Sequence, residues 1–234
     1  MLDKDLVMNK TLRILNRKQG EDSTGCRMGV VVARAGLGKT AILVQIALDN
    51  IFHGRRVLHV SVGEGLEKAR AWYDDMFLHV TSDLPADRAA ELAEHVQRNR
   101  MIMTFKEAVF SRPKLEERLN DLVYQDIFRP DCVVVDGFDF SAADFEEVAD
   151  VKDLMSSMNL QVWFSALSHR DDERVSKEGV PAPCHEIAAL FETVIVLKPE
   201  PPGINLHVIK DETACVVPGK VLALDPASMT VREG

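Results

Sequence analysis

The sequence predicts an α/β fold in three layers: a mainly parallel central sheet, helices on both of its faces, and an antiparallel extension near the C-terminus. Apolar runs of strand length recur, as at residues 30–32 and 132–135, and segments with helical periodicity separate them. Strands that are apolar on both faces are typical of a parallel sheet covered on each side, because neither face meets water. With 46% hydrophobic residues, the chain can build such a core.

The first half of the chain alternates between strands and helices. An apolar strand at residues 30–32 runs into a glycine-containing turn, and a helical pattern begins near Lys39. Apolar residues three and four positions apart mark the later helices, and Pro113 favours a helix start because proline suits the first turn. In chain order, the sequence predicts a strand at 57–62, helices at 66–80 and 87–97, a short buried strand at 101–105, and a helix at 113–128.

The second half continues the alternation and then changes character. A valine-rich strand covers residues 131–136, a helix runs from 141 or 142 to 158, and a strand follows at 161–165. Residues 167–183 are charged, contain prolines and show no periodicity, so we expect a mobile loop. Short strands with Pro and Gly turns are predicted at 193–197, 205–209, 214–217 and 221–224. We expect one domain over residues 25–234, after an N-terminal extension at residues 1–24.

The turn between the first strand and its helix has the composition of a phosphate-binding loop. Residues 33–40 read A-R-A-G-L-G-K-T, against the usual pattern G-x-x-x-x-G-K-[ST]. In such loops backbone N–H groups face a β-phosphate, the lysine reaches the β- and γ-oxygens, and the next hydroxyl binds Mg²⁺. Ala33 replaces the first glycine, but alanine is the smallest substitute, so we expect the loop to close around a phosphate. The predicted nucleotide-binding residues are Arg34, Ala35, Gly36, Leu37, Gly38, Lys39, Thr40 and Ala41. The alternative is a glycine-rich turn that serves packing only.

Asp136 ends the valine-rich strand and is the predicted metal ligand. A parallel strand carries its last side chain to the carboxyl edge of the sheet, where the phosphate loop also lies. In phosphoryl-transfer sites of this kind, an aspartate and the loop hydroxyl hold Mg²⁺ together. We therefore predict a magnesium site at Thr40 and Asp136. The alternative for Asp136 is a turn or helix cap.

Glu64 is the predicted catalytic residue, together with Lys39. Hydrolysis needs a group that orients or deprotonates the attacking water, and a carboxylate at the end of a neighbouring strand can supply it. Glu64 follows the strand at 57–62 and is flanked by two glycines. Asp139 and Glu67 are weaker alternatives. For Glu64 itself, the alternative is an exposed acid at a helix start, where the helix dipole favours it.

Ser165 is a further predicted nucleotide contact. It closes the strand expected beside that of Asp136, so its hydroxyl is placed to contact a γ-phosphate. Ser168 and Arg170 follow in the same segment and are secondary candidates. A simple strand-end cap is the alternative reading of Ser165.

Composition disfavours several classes of protein. The chain has 37 acidic and 28 basic residues, a formal charge of −9, which opposes non-specific nucleic-acid binding because phosphate neutralisation needs clustered Lys and Arg. The four cysteines are scattered without zinc-site spacing, so we expect them to be reduced. We find no apolar run of about 18 residues and no signal-peptide layout, so we predict a cytoplasmic protein that does not enter a membrane.

Taken in order, these segments resemble the RecA-like ATPases, in particular the branch of DnaB-type replicative helicases and KaiC-type proteins. The resemblance extends over residues 25–211. Residues 57–64 look like the strand that leads to that family's catalytic glutamate, and residues 164–170 are similar to a helicase segment ending in serine, leucine and an asparagine–arginine pair. The resemblance implies a RecA-like ATPase domain over residues 25–234, with ATP and Mg²⁺ as ligands.

Two departures limit what the resemblance implies. Ring-forming members place a lysine and an arginine after a late strand, where both reach the ATP of a neighbouring subunit, and residues 209–212 keep only Lys210. The chain also lacks an evident helicase N-terminal domain and a basic DNA loop. A guanine-nucleotide protein is disfavoured because no N-K-x-D motif follows the later strands.

The sequence therefore predicts a Mg²⁺-dependent ATPase that turns over slowly and uses hydrolysis as a conformational or assembly switch. Two other functions stay open. One is a helicase or recombination accessory driven by single-stranded DNA, and the other is a nucleotide-binding scaffold that does not hydrolyse. A small-molecule kinase is a lower alternative. A protein partner or self-association fits the first function, whereas a nucleic-acid partner is not expected.

Overall fold

The computed structural model of the protein describes residues 28–212 and 218–232. The expected N-terminal extension at residues 1–24 and the expected strand at 214–217 lie outside the described residues, as do Cys26 and Cys215. Cys132 and Cys184 are both buried.

Within the described residues, strands and helices alternate along the chain. The strands are β1 (Met28–Ala33), β2 (Val57–Val62), β3 (Arg100–Phe105), β4 (Cys132–Asp136), β5 (Gln161–Leu167), β6 (Thr193–Glu200), β7 (Gly203–Asp211), β8 (Val221–Leu224) and β9 (Val231–Arg232). The helices are α1 (Lys39–Phe52), α2 (Leu66–Thr81), α3 (Ala86–Asn99), α4 (Arg112–Tyr124) and α5 (Phe145–Ser157).

All these strands form one sheet of nine strands in the order β3-β2-β4-β5-β1-β6-β7-β8-β9. The strands from β3 to β6 in that order are parallel to their neighbours, and β7, β8 and β9 add antiparallel pairs at the other end. The predicted α/β class, the mainly parallel sheet and the C-terminal antiparallel extension are confirmed. β5 lies between β1 and β4. One strand therefore separates β1, which leads to the glycine-rich loop, from β4, which ends at Asp136.

Helices cover both faces of the sheet because successive strand residues alternate between two apolar cores. Val31 and Val134 pack with α1, α2 and α3 in one core. Val30 and Val133 pack with α4 and α5 in the other. This alternation is the period of two expected of strands buried on both faces.

Helix α1 is enclosed more completely than the other helices. Its residues from Ala41 to Phe52 are all buried, whereas α3 buries only Leu92 and Val96. Nine of these twelve buried residues are apolar, and the other three are Gln45, Asp49 and Asn50. The glycine-rich loop is therefore joined to an element that packing holds in place.

The edge strand β3 differs from the prediction for residues 101–105. We expected a buried strand, but only Phe105 of β3 is buried and the other five residues are half-buried or exposed. The expectation was wrong because β3 pairs on one side only, with β2, and its outer side has no partner strand among the described residues. An apolar run does not reveal whether its strand is central or at an edge.

Two helix ends also differ from the expectation. Helix α4 ends at Tyr124 rather than at residue 128, because Asp126 adopts a left-handed backbone with φ of +54°. Helix α5 begins at Phe145, after Asp144 caps it in a reciprocal pair of hydrogen bonds with Glu147. The residues expected to start that helix instead form a turn in which Ser141 donates to Asp139.

No helix in the described ranges combines the length and the apolar character needed to cross a bilayer.

One close contact in the core gives a test of the packing. Gly29 of β1 lies opposite Trp163 of β5, and a Cβ added at Gly29 would be 2.5 Å from the indole ring. We expect Gly29→Ala to lower the free energy of unfolding by about 1–3 kcal/mol, because overpacking displaces the buried ring. Urea denaturation would measure this.

Gly203→Ala is the matched control. A Cβ at Gly203 would meet only Pro226, at an ordinary 3.7 Å. Its effect should stay within about 0.5 kcal/mol. Equal stabilities of the two variants would contradict the packing of Trp163 against Gly29.

Candidate functional site

A row of polar side chains crosses the carboxyl edge of the sheet. Ser61 of β2 pairs with Asp136 of β4, and Ser165 of β5 follows Phe164, which pairs with Val135. Three neighbouring strands thus carry a hydroxyl, a carboxylate and a hydroxyl near their carboxyl ends. Asp136 and Ser165 were predicted as site residues, and Ser61 was not.

The glycine-rich loop lies at the same edge, between β1 and α1. Gly36 and Gly38 have φ of +76° and +90°, a backbone conformation that L side chains rarely adopt. Gly38 immediately precedes α1, so the first N–H groups of that helix, at Lys39, Thr40 and Ala41, have no acceptor within the helix. Such a helix start attracts an anion through both its N–H groups and its dipole.

Lys39 is held inside the loop. Its ammonium donates to the carbonyl oxygens of Ala33 at 3.1 Å and Arg34 at 3.2 Å. An ammonium has three hydrogens, so these bonds leave one for a further acceptor. Burial lowers the pKa of Lys39 because it disfavours the charged form, and the negative charge of Asp136 opposes this shift.

Thr40 and Asp136 are in direct contact. The Thr40 hydroxyl donates to Oδ2 of Asp136 at 2.7 Å, and the Ser165 hydroxyl donates to Oδ1 at 2.5 Å. The Ser165 oxygen also accepts the N–H of Gly137 at 3.0 Å. Each carboxylate oxygen of Asp136 is therefore fixed by a hydroxyl, one from α1 and one from β5. Ser165 acts here on the orientation of Asp136.

The pair of Thr40 and Asp136 has the donor chemistry of a magnesium site. Mg²⁺ prefers oxygen ligands and keeps several waters, so a site usually has one or two carboxylates plus phosphate oxygens. The described residues contain no cluster of three or more His, Cys, Asp or Glu that could hold a metal alone. The two residues fit a metal shared with a phosphate group.

Glu64 lies at the rim of the site. Its carboxylate is 2.5 Å from the ammonium of Lys68, and its side chain is 54% exposed. Glu64, Lys39, Thr40 and Asp136 all line one cavity of about 1000 Å³. The structure thus brings Glu64 into the same space as the loop and the carboxylate.

The two alternatives to Glu64 are engaged elsewhere. Asp139 lines the cavity, but its Oδ1 accepts hydrogen bonds from the backbone and the hydroxyl of Ser141. These bonds hold the pKa of Asp139 below its usual value. Glu67 is 86% exposed, is 3.8 Å from Arg70, and does not line the cavity.

The remaining predicted residues lie around the loop. Ala35 lines the cavity, whereas Arg34 and Leu37 are half-buried on the loop. Ala33 is buried at the end of β1, where its side chain belongs to the core beside α1, so the methyl group points into apolar packing. The backbone N–H of Ser168 donates to the Ala33 carbonyl, and Arg170 is exposed.

The sequence did not predict a buried histidine near Asp136. His59 of β2 is 1% exposed and lines the cavity. Its Nδ1 lies 3.2 Å from the hydroxyl of Tyr73, and the two rings meet edge to face. Burial lowers the pKa of His59 to about 4, with the Asp136 charge opposing the shift and Arg100 adding to it. A histidine in an apolar strand gives no signal of its own, because burial and partner come from the fold.

No protein-family model matches this sequence, and no curated protein is significantly similar to it.

The pKa of His59 predicts how stability depends on pH. In the native protein the ring stays neutral down to about pH 4, whereas the unfolded chain binds a proton below about pH 6.5. We therefore expect stability to be lost as the pH falls from 6.5 to 4, by on the order of 3 kcal/mol from this group. Urea denaturation across this pH range would measure it.

His59→Gln is the control, because glutamine does not titrate. The difference in unfolding free energy between the wild type and this variant should shrink as the pH falls through this range. A constant difference would show that the native structure does not lower the pKa of His59.

Proposed function

We propose that this protein binds ATP with Mg²⁺ and hydrolyses it slowly, and that turnover serves as a conformational or assembly switch. The observation that carries the proposal is the 2.7 Å hydrogen bond between Thr40 and Asp136, directly after a glycine loop that opens a buried helix. Thr40 and Asp136 are separated by 96 positions in the chain. Their meeting at one point is what a shared metal requires.

Each residue of the site has a separate role in this proposal. The N–H groups at the start of α1 and the ammonium of Lys39 bind the β- and γ-phosphates. Thr40 and Asp136 would hold Mg²⁺, which would supply positive charge that neutralises the phosphate group. Ser61 and Ser165 flank Asp136, and Ser165 fixes the direction of its carboxylate. Glu64 orients the attacking water from the rim of the same cavity.

A RecA-like architecture is part of the proposal. It is supported by the position of β5 between β1 and β4, and by the placement of the loop, Asp136 and Ser165 at one edge of a mainly parallel sheet. Ligands of open α/β sheets bind beyond the carboxyl ends of the strands. The fold alone does not determine the activity, which rests on the site.

The cellular location and the kind of partner are also part of the proposal. With a net charge of −9, we propose a cytoplasmic protein that acts on a protein partner or on further copies of itself rather than on nucleic acid. An assembly switch would then respond to the nucleotide state of the loop.

Lys39→Ala tests nucleotide binding. Removing the ammonium should weaken ATP binding by roughly 10- to 100-fold, since a hydrogen bond to a charged group contributes about 1.5–3 kcal/mol. Calorimetry with ATP and Mg²⁺ would measure this. Lys114→Ala removes a half-buried lysine that pairs with Glu117 on α4 and does not line the cavity, and it should bind like the wild type. Equal loss in both variants, or in neither, would contradict the role of Lys39.

Glu64→Gln tests hydrolysis. The amide keeps the size of the side chain but cannot accept a proton, so ATP binding should persist while phosphate release falls by at least roughly 100-fold. Glu67→Gln is the matched control, because Glu67 lies outside the cavity and should keep full turnover. Loss in Glu67→Gln with retention in Glu64→Gln would move the catalytic role away from Glu64.

One observation favours a second candidate, a nucleotide-binding scaffold without turnover. Glu64 is paired with Lys68 and more than half exposed, and as long as this pair persists its carboxylate binds an ammonium instead of a water. Phosphate release by the wild-type protein separates the two functions. A rate above background favours the ATPase, and binding without release favours the scaffold.

A further inference from the structure

The C-terminal part of the chain returns to the glycine loop. Met229, in the turn between β8 and β9, lies directly on Gly38, where an added Cβ would be only 2.1 Å from the methionine methyl carbon. The same hypothetical Cβ would be 4.0 Å from Cβ of Ala41. Met229 thus covers one flank of the start of α1.

The turn that presents Met229 is internally tied. Oδ1 of Asp225 accepts the N–H groups of Ala227 and Ser228 at 2.8 and 2.9 Å, and the Asp225 carbonyl accepts the N–H of Met229 at 2.8 Å. Met229 itself has φ of +55°. This conformation is uncommon for a residue other than glycine and persists where the surroundings determine it.

Hydrogen bonds of the Gln45 side chain connect this turn to α1. Its side chain is fully buried, and its amide nitrogen donates to the carbonyl of Met229 at 2.7 Å and to that of Ala41 at 3.2 Å. Its amide oxygen accepts the N–H of Val231 at 3.2 Å. One side chain therefore connects the helix that follows the loop with the backbone on both sides of Thr230.

Met229 lies on the opposite flank of the loop from the metal pair. Asp136 and Ser165 are on β4 and β5, on one side of β1, whereas β6, β7, β8 and the turn with Met229 are on the other side. The cavity that contains Glu64 and Asp136 is not lined by Gly38 or Met229. If the terminal phosphates of a nucleotide face Asp136, the nucleoside leaves the loop on the side of Met229.

We propose that Met229 forms the wall against which the nucleoside of bound ATP lies, and that Gln45 is the positioning residue that holds this wall in place. This inference rests on the proposed function. A thioether makes favourable contacts with aromatic rings. Met229 therefore offers the base an apolar contact. The polar atoms of Gln45 are engaged with the backbone and hold Met229 in place.

The test compares two ligands on the 234-residue chain. Mg²⁺-tripolyphosphate has the phosphates of ATP without a nucleoside, and calorimetry gives the affinity for each ligand. Met229→Ala should weaken ATP binding by roughly two- to tenfold, which corresponds to the usual strength of a sulfur–aromatic contact, and leave tripolyphosphate binding unchanged. Met229→Leu keeps most of the apolar volume and should retain most of the affinity for ATP.

The positioning role of Gln45 is tested by the same ratio of affinities. Gln45→Leu removes the connections to Met229 and Val231, so it should lower the affinity for ATP relative to tripolyphosphate, besides lowering the melting temperature. A loss of stability alone would leave that ratio unchanged and would overturn the positioning role.

The remaining outcomes are distinct. Equal weakening of both ligands in Met229→Ala would show that Met229 only supports the loop, and tighter ATP binding would show that it obstructs the nucleoside. Either result overturns the inference but leaves the proposed function standing. If the wild type binds neither ligand, the proposed function fails instead.

Discussion

The hydrogen bond from Thr40 to Asp136 is the contact on which the site depends, because it joins the helix after the glycine-rich loop to the strand that carries the carboxylate. Thr40 belongs to α1, which is embedded in one apolar core, and Asp136 ends a central strand that is buried on both faces. Both partners are therefore positioned by packing rather than by loops. Ser165, on β5 between β1 and β4, then fixes the other oxygen of the Asp136 carboxylate.

The sequence was sufficient to predict the components of the site whose evidence is local. A strand, a glycine turn and a helix follow one another within residues 28–52, and the valine-rich run before Asp136 shows that this acid ends a buried strand. Because parallel strands share a carboxyl edge, the meeting of Thr40 with Asp136 could be inferred as well. The approach of Glu64 to the same cavity follows from the same rule, whereas its pairing with Lys68 depends on the geometry of the helix that follows.

Residues that depend on distant pairing could not be predicted. Ser61 joins the polar row only because β2 pairs with β4 in one register, and Gln45 binds a backbone carbonyl 184 positions away. The exposure of β3 depends on which strands pair with it, not on its own apolar residues. The early end of α4 depends on a left-handed residue, Asp126, and aspartate signals such a conformation only weakly.

The enclosure of α1 has a consequence for how the molecule could respond to a ligand. A helix whose residues from Ala41 onward are all buried cannot slide or tilt without disturbing the core around it, so its hydrogen-bonded amides, from Ile42 onward, should exchange only when that core unfolds. Among the described residues, the exposed segments around Gly63 and Ser141 line the cavity and lie outside this core. A rearrangement of these exposed segments around a bound ligand would therefore take place against a helix that stays fixed.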